Sequence, residues 1–380
     1  MKILHLINTL SAGGAELHLL ALCRHLKRPG LEIVVVCLRE QVEGSRSLRP
    51  DFEKEEIRVI SLQADSRYDW RFFSRFAHLL REEHPDILHT HLPRADLAGA
   101  FGSFRHLPVA WVSSVHGIYS ESWSGRWTLP LANFVWRHAD IVIAISQAVK
   151  DWLLKQQRVS PDKVTVVYYG IDAERLAEPN VDLRKRWGLD GRAVIGSVGR
   201  IEQGKGYDCL IQAMPAILNR VPSACLLIAG HDPSGYAKKL RELIETLGLQ
   251  EYVRLVGFLD DVASFLHALD VFAFASRSEG FGQVVIEAMA AGKPVVASNM
   301  APLSEIAVDG QSALLVEPGK PAAFAAALSQ LLSDPGGCQR MGRQGRERVQ
   351  KYFTAERMAA ETISLYEEAC GQISQLRSLA

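Results

Sequence analysis

The strongest constraint on the fold is an alternation of short apolar runs with segments of helical spacing. Continuous apolar runs separated by helices are typical of parallel strands that are covered on both faces. The sequence therefore predicts an open α/β domain over residues 1–170. Its seven expected strands are residues 3–7, 33–38, 57–60, 87–89, 109–115, 141–145 and 164–167.

A break in this pattern divides the chain. Residues 171–190 are rich in charge and include Pro179 and Asn180, so we expect a linker there. The alternation then restarts, with expected strands at residues 194–198, 226–229, 253–256, 271–274, 295–297 and 314–316. We predict a second doubly wound domain over residues 191–354, and a terminal helix over 355–380 that joins the first domain. Because 380 residues exceed one ordinary core, two Rossmann-like domains facing across a cleft are the expected architecture.

Composition excludes several classes of function. Lys and Arg total 43, as do Asp and Glu, so no overall basic field favours nucleic acid. No run of about 18 apolar residues indicates a membrane span, and the start of the chain does not resemble a signal peptide. The six cysteines are scattered without a CxxC pair, which favours free thiols in a reducing compartment. We expect a cytoplasmic enzyme.

Three loops that follow predicted strands have the composition of anion-binding sites. The first contains Gly13 and Gly14 and opens the first helix, whose N-terminal N–H groups can bind an anion. It lacks the GxGxxG pattern, so a nicotinamide cofactor is not expected. The second carries Arg200 and Lys205 among glycines, and can bring two cations to one diphosphate. It lacks the Walker pattern GxxxxGK[ST]. Taken alone, the first loop is also compatible with a tight strand–helix turn without a ligand, and the second with a solvated basic surface loop.

The third loop joins a strand that ends near Ala275 to a helix expected to begin near Gln283 and to stop at Gly292. Glycines expose the backbone there, so N–H groups at Gly282, Gln283 and Val284 can face a phosphate or a sugar hydroxyl. Glu287 lies one turn into this apolar helix. A carboxylate in such surroundings needs a partner, and its two oxygens suit a vicinal diol such as ribose.

These motifs together resemble glycosyltransferase family 4, a large family of retaining enzymes with the GT-B fold. The resemblance rests on Glu279 and Glu287 with Gly280-Phe281-Gly282 between them. Further matching segments, in the same order over essentially the whole chain, are Gly13-Gly14-Ala15-Glu16, Val198-Gly199-Arg200, Lys205-Gly206 and residues 288–297.

The resemblance implies a role for each residue of the second domain. Arg200 and Lys205 would bind the donor diphosphate and stabilise the departing nucleotide. Glu287 would hold the ribose, and Glu279 the transferred sugar. The segment Gly280, Phe281, Gly282, Gln283 and Val284 would contact sugar or phosphate, and Phe258 and Leu259 would edge the nucleobase.

The resemblance also implies roles in the first domain. Gly13 and Gly14 would close over the donor from that domain, and His116 would contact the transferred sugar. The reaction would retain configuration by front-face attack, with neither a protein nucleophile nor an essential metal. The donor would be a UDP- or GDP-linked sugar, and no other cofactor is implied. One departure concerns residues 299–305, where relatives often carry a glycine-rich turn and this chain has none, so the sugar stays open.

Two further segments have alternative interpretations. His89 and His91 form a candidate metal pair, but we expect them to face opposite ways and see no third ligand, so no metal site is predicted. His91 is also a candidate for the acceptor cleft. Residues 119–136 are aromatic and basic, which suits peripheral contact with the inner face of a membrane; the alternative, which we favour, is helix packing on the core of the first domain.

The leading hypothesis is a glycosyltransferase acting on a glycan, lipid-linked or small-molecule acceptor in polysaccharide or glycolipid biosynthesis. One alternative is a nucleotide-sugar epimerase of the same two-domain build, although no acid–base pair is evident in the first domain. The other is a non-catalytic module that binds sugar nucleotides.

Overall fold

The computed structural model describes residues 1–42, 45–64, 69, 71–103, 109–119 and 128–379. It divides into two compact units, residues 1–170 with 355–380, and residues 171–354. Both units are Rossmann-like, with one parallel sheet each, which confirms the predicted fold class. Within the described residues, no helix combines the length and apolar character that crossing a bilayer requires.

The first unit contains a seven-stranded parallel sheet in the order β3-β2-β1-β4-β5-β6-β7. Every predicted strand of this unit is present. The elements are β1 (Lys2–Ile7), α1 (Gly14–Leu26), β2 (Glu32–Cys37), α2 (Arg49–Lys54), β3 (Arg58–Ser61), α3 (Arg71–Glu83), β4 (Ile87–His91), α4 (Pro93–Ser103), β5 (Ala110–Val115), α5 (Thr128–His138), β6 (Ile141–Ala144), α6 (Gln147–Lys155) and β7 (Val164–Val166).

The second unit contains a six-stranded parallel sheet in the order β10-β9-β8-β11-β12-β13. Its elements are α7 (Leu183–Arg186), β8 (Ala193–Val198), α8 (Tyr207–Leu218), β9 (Ala224–Ala229), α9 (Tyr236–Thr246), β10 (Val253–Gly257), α10 (Val262–Ala268), β11 (Val271–Phe274), α11 (Gln283–Ala290), β12 (Val295–Ser298), α12 (Leu303–Ile306), β13 (Leu314–Val316), α13 (Pro321–Leu332) and α14 (Pro335–Tyr352). Residues 171–190, for which we predicted a linker, lie in this unit and include α7.

The chain returns to the first unit with α15 (Ala355–Leu379). Met358, Ala359 and Tyr366 of this helix are buried in the same apolar core as β1 and α1. The Tyr366 hydroxyl also lies 2.6 Å from Nδ1 of His89 in β4. The last helix is therefore fixed by both apolar packing and a buried polar contact.

Strand order defines one special position in each sheet. In the first unit β1 lies between β2 and β4, and in the second β8 lies between β9 and β11. At these reversal points, on the two sides of β1 and likewise of β8, the chain connections run in opposite directions along the sheet. The loops that follow neighbouring strands there diverge and leave a crevice at the carboxyl edge of each sheet. The loops with Gly13 and with Arg200 and Lys205 follow β1 and β8, so both occupy these crevices.

Candidate functional site

The Lys205 loop rests directly on the end of β11. The loop forms a short 3₁₀ turn over Gln203–Lys205, followed by Gly206 at φ 70°. A Cβ atom at Gly206 would lie 2.0 Å from the carbonyl oxygen of Ala275. Only glycine fits this left-handed position and close approach. The chain thus places Lys205 beside the loop that carries Glu279.

Lys205 and Glu279 form an ion pair in the second unit. Nζ of Lys205 lies 2.6 Å from Oε1 of Glu279, and the two side chains are only 19% and 11% exposed. Because the pair is largely shielded from water, its attraction is stronger than that of a surface pair. Two of the residues predicted from sequence are therefore brought together, and an arriving diphosphate would compete with Glu279 for the ammonium group.

Arg277 fixes this loop, a role that the sequence did not predict. Its backbone N–H donates to the carbonyl of Gly204 at 2.8 Å. Its guanidinium donates to the carbonyl of Gln203 at 3.3 Å and to the carboxylate of Asp208 at 2.7 Å. The sequence signal that could have indicated this role is the position of Arg277, two residues before Glu279. These bonds hold the loop to the end of β11 from both sides of Lys205.

Arg200 lies on the same loop with a different environment. Its side chain is 65% exposed and pairs with Glu202 at 3.0 Å. An exposed ion pair of this kind contributes at most about 1 kcal/mol to stability. The guanidinium can therefore leave Glu202 for a phosphate at little energetic cost.

The N-terminus of α11 has the geometry expected for binding an anion or a hydroxyl. Gly282 precedes the helix at φ 102°, and a Cβ there would meet Leu303 at 2.6 Å. The N–H groups of Gln283 and Val284 are in the first turn, where a helix provides no partner of its own. The Phe281 ring, in contrast, is buried against Phe353, so this side chain packs within the unit.

Glu287 is a half-buried carboxyl one turn into α11. It accepts a hydrogen bond from Nε2 of Gln283 at 3.0 Å. Desolvation raises the pKa of Glu287 to about 7, and the Gln283 bond opposes this shift. The partner that this carboxyl was expected to need is thus the side-chain amide of Gln283, on the same helix. The charge of Glu287 changes near neutral pH.

Phe258 and Leu259 follow β10, at the far edge of the second sheet from β13. The Phe258 ring is 47% exposed. An exposed aromatic ring at the carboxyl edge offers a flat surface suited to stacking on a nucleobase.

In the first unit, the Gly13-Gly14 loop leads directly into α1, which begins at Gly14. Gly13 is extended, at φ −155°. His18, one turn further along α1, is stacked on Tyr169 with ring centroids 4.1 Å apart. Its ring also lies 5.5 Å from that of His116. The helix that this loop opens and the predicted sugar-contacting histidine therefore belong to one cluster.

His116 follows β5 and is only partly exposed. Nε2 of His116 lies 3.1 Å from Nδ1 of His91, and its Nδ1 is hydrogen-bonded to the Tyr169 hydroxyl. Desolvation lowers the pKa of His116 to about 3. Both ring nitrogens are thus already engaged within the unit, so a sugar hydroxyl would have to replace one partner.

The prediction that His89 and His91 face opposite ways was wrong. Side chains alternate along a strand, so residues two apart share a face. The two rings lie 4.1 Å apart. A third histidine, His5, is directly opposite His89 in the register of β1 and β4. The two-residue repeat of side-chain direction along a strand, applied correctly, would have shown that His89 and His91 share a face.

The three histidines offer ring nitrogens within 4.8 Å of one another, as a metal site would. However, Nδ1 of His5 and Nε2 of His91 face each other at 3.0 Å, and Nδ1 of His91 faces His116. His89 contacts Tyr366 through Nδ1 and Ser114 through Nε2. An ion held by all three would break at least two of these bonds, so the arrangement favours a hydrogen-bonded network.

Comparison with known proteins identifies the family. The model of Glycosyltransferase Family 4 matches residues 12–175, and that of Glycosyl transferases group 1 matches residues 181–348. Glycogen synthase of Mycobacterium tuberculosis is 32% identical over 301 residues, covering 75% of this chain and 69% of the relative. The capsular polysaccharide biosynthesis glycosyltransferase CapM of Staphylococcus aureus is 28% identical, covering 83% and 86%.

Solved structures agree with this result. The crystal structure of Anabaena HepE in complex with UDP-glucose has a TM-score of 0.85 and 26% identity, and covers 96% of this chain and 99% of that chain. Sucrose-phosphate synthase from Thermosynechococcus elongatus shares the fold, with a TM-score of 0.82 at 24% identity and full coverage of both chains. The chain belongs to glycosyltransferase family 4. It is a glycosyltransferase of the GT-B fold that uses a nucleotide sugar, as its sequence predicted.

Proposed function

We propose that this enzyme transfers a sugar from a UDP-linked donor, with retention of configuration and without an essential metal, to an acceptor in polysaccharide biosynthesis. The observation that carries the proposal is the Lys205–Glu279 pair beside the exposed Arg200 at the reversal point of the second sheet. Two cations on one loop suit a diphosphate. The relatives with UDP-glucose bound, and those named for glycogen and capsule synthesis, support the donor and the pathway class.

In the proposed reaction, an acceptor hydroxyl attacks the anomeric carbon from the face that the diphosphate leaves. The bond between the anomeric carbon and the phosphate oxygen breaks while the new glycosidic bond forms. The acceptor proton passes to the leaving diphosphate oxygen. Arg200 and Lys205 stabilise the negative charge that develops on that diphosphate.

The carboxyl groups have separate roles in this proposal. Glu287 accepts hydrogen bonds from the ribose hydroxyls, and Glu279 positions the transferred sugar after Lys205 turns to the phosphate. The backbone of Gly280, Gly282, Gln283 and Val284 binds sugar or phosphate, and Phe258 and Leu259 border the base. Gly13, Gly14 and His116 contact the donor through the first unit.

The acceptor is proposed to be a glycan, a lipid-linked sugar or a small molecule. Peripheral contact with a membrane is supported by α5, where Leu131 is 52% and Phe134 48% exposed. Residues 120–127 of the aromatic and basic segment lie outside the described residues. Replacing Leu131 and Phe134 with Ser should then reduce cosedimentation with anionic vesicles, and unchanged sedimentation would refute this contact.

The donor is tested by thermal unfolding with UDP, GDP, ADP and UDP-glucose. A ligand at about 100 times its Kd adds about 2.7 kcal/mol to the stability of the folded state. We expect a shift with UDP and UDP-glucose. The absence of a shift with every nucleotide would refute the donor assignment.

Product analysis separates the proposed reaction from its alternatives. A transferase releases UDP from UDP-sugar when acceptor or water takes the sugar, whereas an epimerase leaves the nucleotide sugar intact. A binding module does neither. Retention is tested by NMR of the first-formed sugar, which should keep the donor's anomeric configuration. Activity should persist in EDTA if no metal is required.

A further inference from the structure

A row of buried imidazoles leads from the middle of the first sheet to His116. His5, His89 and His91 are fully buried, and His18 is 5% exposed. They come from β1, β4 and α1, while His116 follows β5. Buried polar groups persist where they are hydrogen-bonded, and such networks are costly when only partly satisfied. The row is therefore an organised feature of this unit.

Three imidazoles of this row and the Tyr169 hydroxyl form one continuous chain of contacts. Nδ1 of His5 faces Nε2 of His91 at 3.0 Å, and Nδ1 of His91 faces Nε2 of His116 at 3.1 Å. Nδ1 of His116 then meets the hydroxyl of Tyr169. A neutral imidazole has one donor and one acceptor nitrogen. The proton position on any one ring therefore fixes the positions on the others.

The surroundings keep these rings uncharged. Desolvation lowers the pKa of His5 and of His116 to about 3, and that of His91 and His18 well below the ordinary value. The titratable groups facing His116 are His91 from β4, His18 from α1, Tyr169 after β7, and Tyr119, which contacts the His116 backbone. Glu16, from α1, acts electrostatically on Tyr169. A proton on one imidazole would thus repel protonation of its neighbours.

With all rings neutral, only two proton arrangements satisfy the chain. In one, the protons point toward His5, whose Nε2 then carries an N–H. That atom is buried without a partner among the described residues, and an orphaned N–H is costly. In the other, the protons point toward Tyr169, and His5 is left with a bare lone pair. The second arrangement avoids this orphaned N–H; in it the Tyr169 hydroxyl accepts from Nδ1 of His116 and must donate its own proton to another acceptor. We adopt this second arrangement, with the proton of His116 on Nδ1.

We propose that His91 and Tyr169 are positioning residues, which hold the buried, neutral His116 in its Nδ1-protonated tautomer where it meets the transferred sugar. This inference rests on the proposed function, which assigns His116 to that sugar. Glycosyl transfer passes through a transition state with positive charge on the sugar ring. An imidazolium beside that charge would raise the barrier, whereas a neutral imidazole does not.

The test is ¹⁵N NMR of the full-length protein labelled at histidine, with the His116 signals assigned by their loss in His116→Gln. We expect wild-type His116 to be Nδ1-protonated and uncharged throughout the neutral range. Either His91→Phe or Tyr169→Phe should give mixed tautomers of His116, while burial keeps the ring uncharged. His78→Gln, an exposed histidine on α3, is the control and should leave these signals unchanged.

Transfer kinetics give the second readout. In His91→Phe, only the fraction of the enzyme that keeps the proton on Nδ1 of His116 holds the productive tautomer, so kcat should fall, by about twofold if both tautomers are equally populated. His78→Gln should keep the wild-type kcat. Tyr169→Phe removes a single hydroxyl, so it provides the test if His91→Phe does not fold.

Unchanged His116 signals in both variants, or a wild-type ring protonated on Nε2, would overturn the proposal. It would also be overturned if the tautomers became mixed while kcat stayed at the wild-type value. If the wild-type enzyme transferred no sugar from UDP donors, the proposed function would fail. The nitrogen spectra need no substrate, so they would still decide whether His91 and Tyr169 hold His116.

Discussion

The two units share one fold but use opposite chemistry at the reversal points of their sheets. In the first unit, neutral imidazoles and hydroxyls are hydrogen-bonded and almost fully buried, as in the contact between His89 and Tyr366. In the second, the corresponding loops carry ion pairs, such as Lys205 with Glu279 and Arg277 with Asp208. The same parallel sheet therefore supports both an uncharged and a charged edge.

The difference follows from how the side chains are placed. The first unit positions its polar groups on the strands, where His5 and His89 lie across from each other in the sheet and water is excluded. The second unit positions them on loops after β8 and β11, where each ion keeps some contact with solvent. Burial makes a lone charge costly, while partial exposure permits ions that can change partners. We therefore expect substitutions at the charged edge of the second unit to affect catalysis, and those of buried contacts away from His116 in the first unit to affect stability.

The largest effect is expected for Lys205→Ala. It removes the ammonium group that would stabilise the departing diphosphate, and by analogy with the loss of an oxyanion donor costs about 2–4 kcal/mol in the transition state. This lowers kcat/KM by a factor of about 30 to 1,000 in a UDP-release assay. Lys320→Ala removes an exposed lysine of the same unit and serves as the control. Wild-type turnover by Lys205→Ala would refute the site assignment.

Much of this charged edge was predictable from sequence, because it depends on short loops after apolar strands. The strands, the helix that begins at Gln283 and the loops with Lys205 and Glu279 are all local patterns. Arg277 was not predicted, because its bonds to Gln203 and Asp208 depend on β8 and β11 being neighbours. Strand order is a tertiary property, which apolar periodicity does not encode.

The uncharged edge was largely missed for a related reason. The contacts among His5, His91 and His116 join β1, β4 and the segment after β5, and they depend on strand order and register as well as on the face of each strand. The shared face of His89 and His91 was within reach, since it follows from the repeat of two. The partner of His89 on α15, Tyr366, lies 277 positions away, and no local pattern links the two.

The next largest effect is expected for Tyr366→Phe in the first unit. Tyr366 is fully buried, and losing its hydroxyl leaves Nδ1 of His89 without this partner. The free energy of unfolding should fall by about 1–3 kcal/mol. Urea unfolding measures the loss, and kcat should stay close to that of the wild type. Tyr352→Phe, on a tyrosine that is 37% exposed, should change the stability much less. A fall in kcat without a loss of stability would contradict the division of roles between the two edges.

The smallest effect is expected for Glu287. This carboxyl belongs to the charged edge, but like the histidines of the uncharged edge it has a pKa that desolvation shifts. Desolvation raises its pKa to about 7. Ribose hydroxyls donate to the ionised carboxylate, so binding lowers this pKa, and by linkage the donor binds best above about pH 7. The Kd of UDP-glucose should rise about tenfold from pH 8 to pH 6.

Glu287→Gln should bind UDP-glucose weakly, with a Kd that does not change over this range, because the amide does not titrate. Intact UDP-glucose is the suitable probe, since its diphosphate keeps a constant charge near neutral pH whereas the terminal phosphate of UDP does not. Calorimetric titration at several pH values measures Kd, and Glu317→Gln, at an exposed carboxyl, should keep the wild-type profile. A wild-type Kd independent of pH would show that Glu287 does not bind the ribose as a carboxylate. Donor binding at the charged edge would then rest on the Lys205 loop, without a contribution from an ionised Glu287.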